Sequence, residues 1–400
     1  MESNDAPICN HNMNSAPEYR EGIRESMSCL PVWMQPLITM ITGKPLPFEK
    51  PVFTNSPRNS FFITLFLISG MMILNVFLLS NTVIYGFVLL PVTWIICTGQ
   101  IRKIQVVYAH HCVHRTFFKN KPKINDFMLE VLTIIVLVQN GDEYRRDHLG
   151  HHSRELFTTK NDSDAALLFE LGFLPSLKAN TLWKKLFVVM FSPKFHWFFL
   201  KSRFYSNLIN RPLGWRLLAI VWALTISIGL AMTFVWWHIA LVVWLPIFIF
   251  YNASALLQFI TEHAWMISDK SPKSLDSYAD RCWGRFFGDA CPAIELRGVD
   301  AAIQWSIWSC RMLFVHAPIR FGCFVGDLPA HDWHHLCTFK DYDPASWPVA
   351  LYSRQLMIDS GHGLGMESRE LWGLHSMLNH AFNLLESAGE TFNLDESKAA

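Results

Sequence analysis

The chain has 400 residues, of which 51% are hydrophobic and only 17% charged, with 31 Phe, 16 Trp and a positive mean hydropathy. That balance excludes an ordinary soluble multi-domain protein, which needs more charge to cover its surface. A formal net charge of +1 gives no basis for a nucleic-acid partner.

Residues 1–59 are polar and mixed, lack the charged-then-apolar layout of a cleavable signal peptide, and read as an N-terminal cytoplasmic segment. Apolar runs follow at 60–80 and 81–100. Each is long enough to cross about 30 Å of hydrocarbon at ~1.5 Å per residue. Little more than Ser80 and Asn81 separates them, which predicts a tight hairpin, with Pro91 bending its second arm. The runs 216–237 and 238–259 predict a second hairpin, with Trp236 and Trp237 at the interface.

Basic residues sort sharply. Arg102, Lys103, Lys119, Lys121, Lys123, Lys184 and Lys185 crowd the stretch 101–215, whereas neither hairpin turn carries one. The positive-inside rule then puts the N-terminus, the 101–215 loop and the C-terminal third in the cytoplasm. The stretch 127–138 is too short to span. The stretch 182–204 mixes Lys with aromatics and reads as a helix lying in the interface. The stretch 307–326 holds two arginines, a histidine and a proline, and is expected at the membrane surface or buried. A tail over 376–400 leaves 60–375 as the membrane domain. Nine cysteines without a C-x-x-C pair read as reduced thiols on the cytosolic side.

Histidine is the residue type that composition does not explain. HHCVH (110–114), HLGHH (148–152) and HDWHH (331–335) are three dense clusters. In a helix, residues i, i+3 and i+4 share a face. His148, His151 and His152 therefore project together, as do His331, His334 and His335; His110 and His114 form an i, i+4 pair. His111 points about 100° away and is expected to support the others. The second apolar helix can continue past residue 100, carrying His110 about 15 Å beyond the hydrocarbon. The fourth brings Glu262 and His263 to the same side. Eight imidazoles, nine with His263, exceed the roughly four ligands of one zinc site and imply two metal ions. Imidazole suits Zn, Cu, Fe or Ni and does not choose among them. The fold expected is an all-α integral membrane protein: four transmembrane helices in two hairpins, with a cytoplasmic helical cap carrying the clusters.

Over about residues 60–340, the three clusters and the paired apolar runs resemble the membrane fatty acid desaturase superfamily, the integral-membrane non-haem di-iron enzymes that include acyl desaturases, alkane hydroxylases and carotenoid ketolases. The resemblance implies two irons and O2. His110 and His114 would be box-one ligands, His148, His151 and His152 box two, and His331, His334 and His335 box three. TEHAW (261–265) resembles the extra histidine of alkane hydroxylases, with His263 in the ligand position and His316 as its competitor. Here the chain departs from the N-x-x-x-H pattern of acyl-CoA desaturases. NDSDA (161–165) is similar to an Asp-rich stretch of many desaturases, so Asp162 and Asp164 would orient ligand imidazoles; Glu262 is a further supporting candidate. His196 and His238, among aromatics, read as interfacial anchors.

The reaction implied is O2-dependent removal of two hydrogens from a fatty acyl or related chain, giving a double bond; oxygen rebound on the same scaffold would give an alcohol. The box spellings favour desaturation. No H-P-G-G haem segment, four-cysteine iron–sulfur or rubredoxin motif, or G-x-G-x-x-G fingerprint occurs, so a separate ferredoxin, rubredoxin or cytochrome donor is expected to dock on the basic 101–215 face. A zinc-dependent membrane hydrolase or receptor is the alternative class, since zinc takes the same ligands.

Overall fold

The computed structural model describes residues 22–52, 55–265, 271–337 and 349–388. The described residues are mostly helical (72%). Among the described residues, four helices are long and apolar enough to cross a membrane: Pro57–Asn81, Val83–Val113, Leu213–Thr233 and Trp236–Thr261. They fall on the four apolar runs. The Ser56 hydroxyl accepts the Asn59 N–H, and Pro57 sits at a first-turn position whose N–H would have no helical partner. Thr82 separates the first helix from the second, and buried Asn75 donates to the Gly86 carbonyl between them (3.0 Å).

The second helix does not stop at the end of its apolar run. It continues for 31 residues in all, about 46 Å at the helical rise. Near its end it passes through a π-helical turn, Ile104–Ala109, before His110–Val113. A π-turn holds an extra residue and so re-aims every side chain beyond it. The fourth helix has a longer π segment, Ala240–Phe250, around Pro246, whose ring removes a backbone donor. Burial separates the two later helices: 6% of the third's apolar window is inside the protein, against 50% of the fourth's. The fourth therefore belongs to the core, where Tyr251 and Ala255 pack with Cys97, Ile101 and Ile104 of the second.

The reading of one interfacial helix over 182–204 is corrected. Ala179–Met190 and Pro193–Leu208 are separate helices, because Pro193 cannot continue a hydrogen-bond ladder but can start one. Their outer faces expose Phe187, Val188, Phe191, Trp197 and Phe204. The stretch 127–138 lies in and beyond helix Pro122–Ile135. The stretch 307–326 falls mostly in a helix that starts at Gly298 and passes through a π-turn at Met312–His316 to Gly322. That helix exposes Val299, Ile303 and Ile307 on one face and buries Trp308 and Met312 against Met27, Ile38 and Ile41.

The first and last described segments, 22–52 and 349–388, join this body. Fully buried Arg24 binds the Lys44 carbonyl, Gln35, Thr39 and Glu49, and Lys44 Nζ reaches Glu370 at 2.6 Å. The tail set at 376–400 begins inside helix Leu374–Ala388, whose Leu378, Ala381, Phe382 and Leu385 pack on Leu182, Leu186 and Leu256. A three-residue parallel ladder, Gly284–Phe286 with Glu370–Trp372, interrupts the all-helical expectation. The eight cysteines among the described residues are free.

Candidate metal centre

Four pieces of chain deliver the imidazoles. His110 and His114 ride the last turn of the second apolar helix. His148 and His151 lie on helix Gly141–His151, with His152 just after it. The Asn140 side chain caps that helix through the Glu143 N–H, and Glu143 itself accepts from Ser206 and Asn210. His331, His334 and His335 share the short helix His331–Leu336. His263 follows the fourth apolar helix.

These residues meet in two sets. In one, ligand atoms of His110, His114, His148 and His334 lie within 4.8 Å of one another; in the other, those of His151, His263, His331 and His335 do. His110 Nε2 is 2.8 Å from His334 Nε2, and His114 Nε2 is 2.9 Å from His148 Nε2. His152 Nε2 adds itself to the first set, 3.0 Å from His148 and 3.1 Å from His334. In the second set His151 and His263 approach to 2.9 Å, and His331 and His335 to 3.1 Å. The His152 and His335 rings stack at 4.1 Å and join the sets.

The rings of each H-x-x-H-H, expected to project together, divide between the sets. His151 and His152 go to different sets, as do His334 and His335. Neighbours on a helix diverge by about 100°, so one box can serve two ions side by side.

Around the rings stand the groups that hold them. His151 Nδ1 lies 2.9 Å from Asp162 and 3.6 Å from Asp164. Asp162 also accepts the Thr158 and Asp164 backbone N–H groups, which fixes its carboxylate. Glu262 Oε1 stands on the inner side instead, 3.1 Å from His331 Nε2, the same nitrogen that approaches His335. Three supports carry no sequence motif. The Tyr278 hydroxyl meets His335 Nδ1 at 2.9 Å. The buried Phe157 ring covers His151, His263 and His335. Asp332, inside box three, is gripped by buried Arg354, which also binds Glu370. Two candidates stand apart: His111 pairs with Asp327 (3.4 Å), and His316 with Asp289 (3.0 Å).

Burial, reinforced by neighbouring imidazoles, holds His148, His152, His263, His334 and His335 well below their ordinary pKa, and brings His114 down to about 3. These rings are neutral, with a lone pair to give. His151 differs. Burial opposes its charge too, but the Asp162 and Asp164 carboxylates lift it to about 9, which keeps a proton on Nδ1 and turns Nε2 inward. Nitrogens about 2.9 Å apart match the edge of an octahedron with arms of ~2.1 Å. The donor set thus fits two borderline divalent cations.

A cavity of about 300 Å3 opens beside the clusters, bordered by His110, His148 and His331 and by Phe198, Phe199 and Phe259.

The family model described as Fatty acid desaturase matches residues 85–290, slightly more than half of the chain. The match takes in HHCVH, HLGHH and His263 and ends before HDWHH. No curated protein and no solved structure matches.

Proposed function

We propose that this chain, which belongs to the fatty acid desaturase family, introduces a double bond into a fatty acyl or related lipid chain at two irons held by nine histidines, using O2. Family membership makes it a membrane oxidoreductase of the desaturase and hydroxylase type. The observation that carries the finer reading is the pair of imidazole tetrads, each within 4.8 Å. His110, His114, His148, His152 and His334 would hold one ion; His151, His263, His331 and His335 would hold the other.

When bound, an iron pair supplies the oxidising power from O2 that an unactivated C–H bond requires. The chain's own residues do the rest. Asp162 holds His151 in the tautomer whose Nε2 lone pair faces inward. Tyr278 does the same service at His335. The Asp332–Arg354 pair fixes the box-three helix, and Phe157 keeps water from the second tetrad. Phe198, Phe199 and Phe259 line an apolar approach for a chain.

The four long helices pair in sequence as two hairpins, and the tetrads face the cytoplasm with both termini, by the sorting of Lys and Arg. The catalytic unit is 60–375. Electrons come from a ferredoxin-, rubredoxin- or cytochrome-type donor on the basic 101–215 face. Desaturation is favoured over hydroxylation by the box spellings alone. The test is expression in a host of defined lipids, comparing lipid profiles for the wild type and His334→Ala. A new unsaturated chain made only by the wild type supports the reading, and a hydroxylated chain moves it to the sister reaction. Identical profiles in a wild type that carries iron would overturn it.

A further inference from the structure

Two buried arginines line the cavity beside the tetrads, and among the described residues neither has a carboxylate partner. Arg102, on the second apolar helix, is 2% exposed, and Arg203, from helix Pro193–Leu208, is 7% exposed. Both guanidinium groups sit on one aromatic ring, that of Tyr251, with Cζ at 5.1 Å and 4.1 Å from its centroid. Their hydrogen bonds go to neutral acceptors. Arg102 binds the Gln258 side chain; Arg203 binds the Ile247 carbonyl (2.9 Å) and Asn252 (3.0 Å). Among the described residues the buried Arg102 Nε has no hydrogen-bond partner. Burial draws Arg203 down to about 10, so it stays charged at neutral pH.

The carboxylates lining the same cavity are already engaged. Asp147 accepts from Gln139 and faces Arg146, Asp164 faces His151, and Glu262 takes Gln258 and His331. Two desolvated cations beside one cavity are costly unless something anionic arrives there.

Resting on the function proposed above, the geometry points to Arg102 and Arg203 as the anchor for a carboxylate, so that the substrate is a free chain acid rather than a thioester or a glycerolipid. The volume agrees: about 300 Å3 suits a compact acid and not a whole phospholipid or a coenzyme A conjugate. Arg102 and His110 border the same cavity, so one chain can meet the anchor and the tetrads together.

Binding without turnover tests this. The purified full chain is titrated with dodecanoate, methyl dodecanoate and dodecanoyl coenzyme A, and iron is measured on the same samples. The acid is expected to bind at least about tenfold more tightly than the ester or thioester, as charge-assisted hydrogen bonds allow. Arg102→Gln/Arg203→Gln should abolish that preference and retain iron, whereas Arg203→Lys keeps part of it. Equal binding of acid and ester by the wild type overturns the anchor, with no variant needed, as does a preference that survives the double replacement. A wild type that prefers the acid but holds no iron strikes the proposed function and leaves the anchor standing.

Discussion

His110 and His334 lie 224 positions apart in the chain, and their Nε2 atoms stand 2.8 Å apart in the protein. One rides the end of a long apolar helix, the other a six-residue helix near the C-terminal end. Two buried neutral imidazoles pointing ring nitrogens at one spot share at most one hydrogen bond between them. In the function proposed here a cation there would satisfy both, together with His114, His148 and His152.

Removing one of these rings should dismantle the first set. His334→Ala is expected to lower iron from two per chain to one or none and to abolish product. Elemental analysis and lipid profiling of the same preparation check it. Full iron with full activity would remove His334 from the ligand set.

Asp162 touches His151 Nδ1 (2.9 Å) and would act through that ring rather than on an ion. Asp162→Asn is expected to weaken metal binding by about 10- to 100-fold. The pH dependence carries a sign. His151, held near 9 by Asp162 and Asp164 against its burial, is protonated at pH 7 in the metal-free protein, whereas the partner rings with lowered pKa are neutral. Loading must displace that one proton, so apparent iron affinity should rise about tenfold per pH unit from 7 toward 9. Competition with a chelator across that range reads the slope, which Asp162→Asn should flatten.

Arg354 is the buried cation of box three. Its bonds to Asp332 (2.9 and 3.0 Å) and Glu370 (2.9 Å) tie helix His331–Leu336 to the ladder strand Glu370–Trp372. Arg354→Met leaves the buried Asp332 carboxylate without its cation, while Glu370 keeps Lys44 (2.6 Å), and a loss of about 3–5 kcal/mol is expected. Thermal unfolding in detergent measures it. An unchanged Tm would mean that the pair does not organise the box.

Tyr278→Phe separates orientation from stability. It deletes one hydroxyl facing His335 Nδ1, a bond worth about 0.5–1.5 kcal/mol. Iron affinity should fall several-fold, with a Tm close to wild type. A large drop in Tm with unchanged affinity would make the contact purely structural.

Much of this is legible locally. The four apolar runs announce the four long helices to within a few residues, save at the end of the second, which runs on to Val113, because hydrophobic length is a property of contiguous sequence. The histidine spellings announce the centre, because i, i+3, i+4 spacing needs only one helix. What local pattern does not carry is what distant segments settle. The π-turn at Ile104–Ala109 re-aims His110 without changing composition. Arg354, Tyr278 and Phe157 belong to no motif, and reach the centre only through contacts across the fold. Three-residue strands at 284–286 and 370–372 are too short for alternation to be seen. Pro193 is the visible signal that divides the interfacial helix, and hydropathy alone passes over it.

The central claim is that distant imidazoles clasp two oxygen-activating irons, and metal analysis of the purified wild type tests it most directly. Two irons per chain, lost on chelation together with O2-dependent product, is the result predicted here. Zinc in place of iron, or one ion per chain in a fully active preparation, would contradict it.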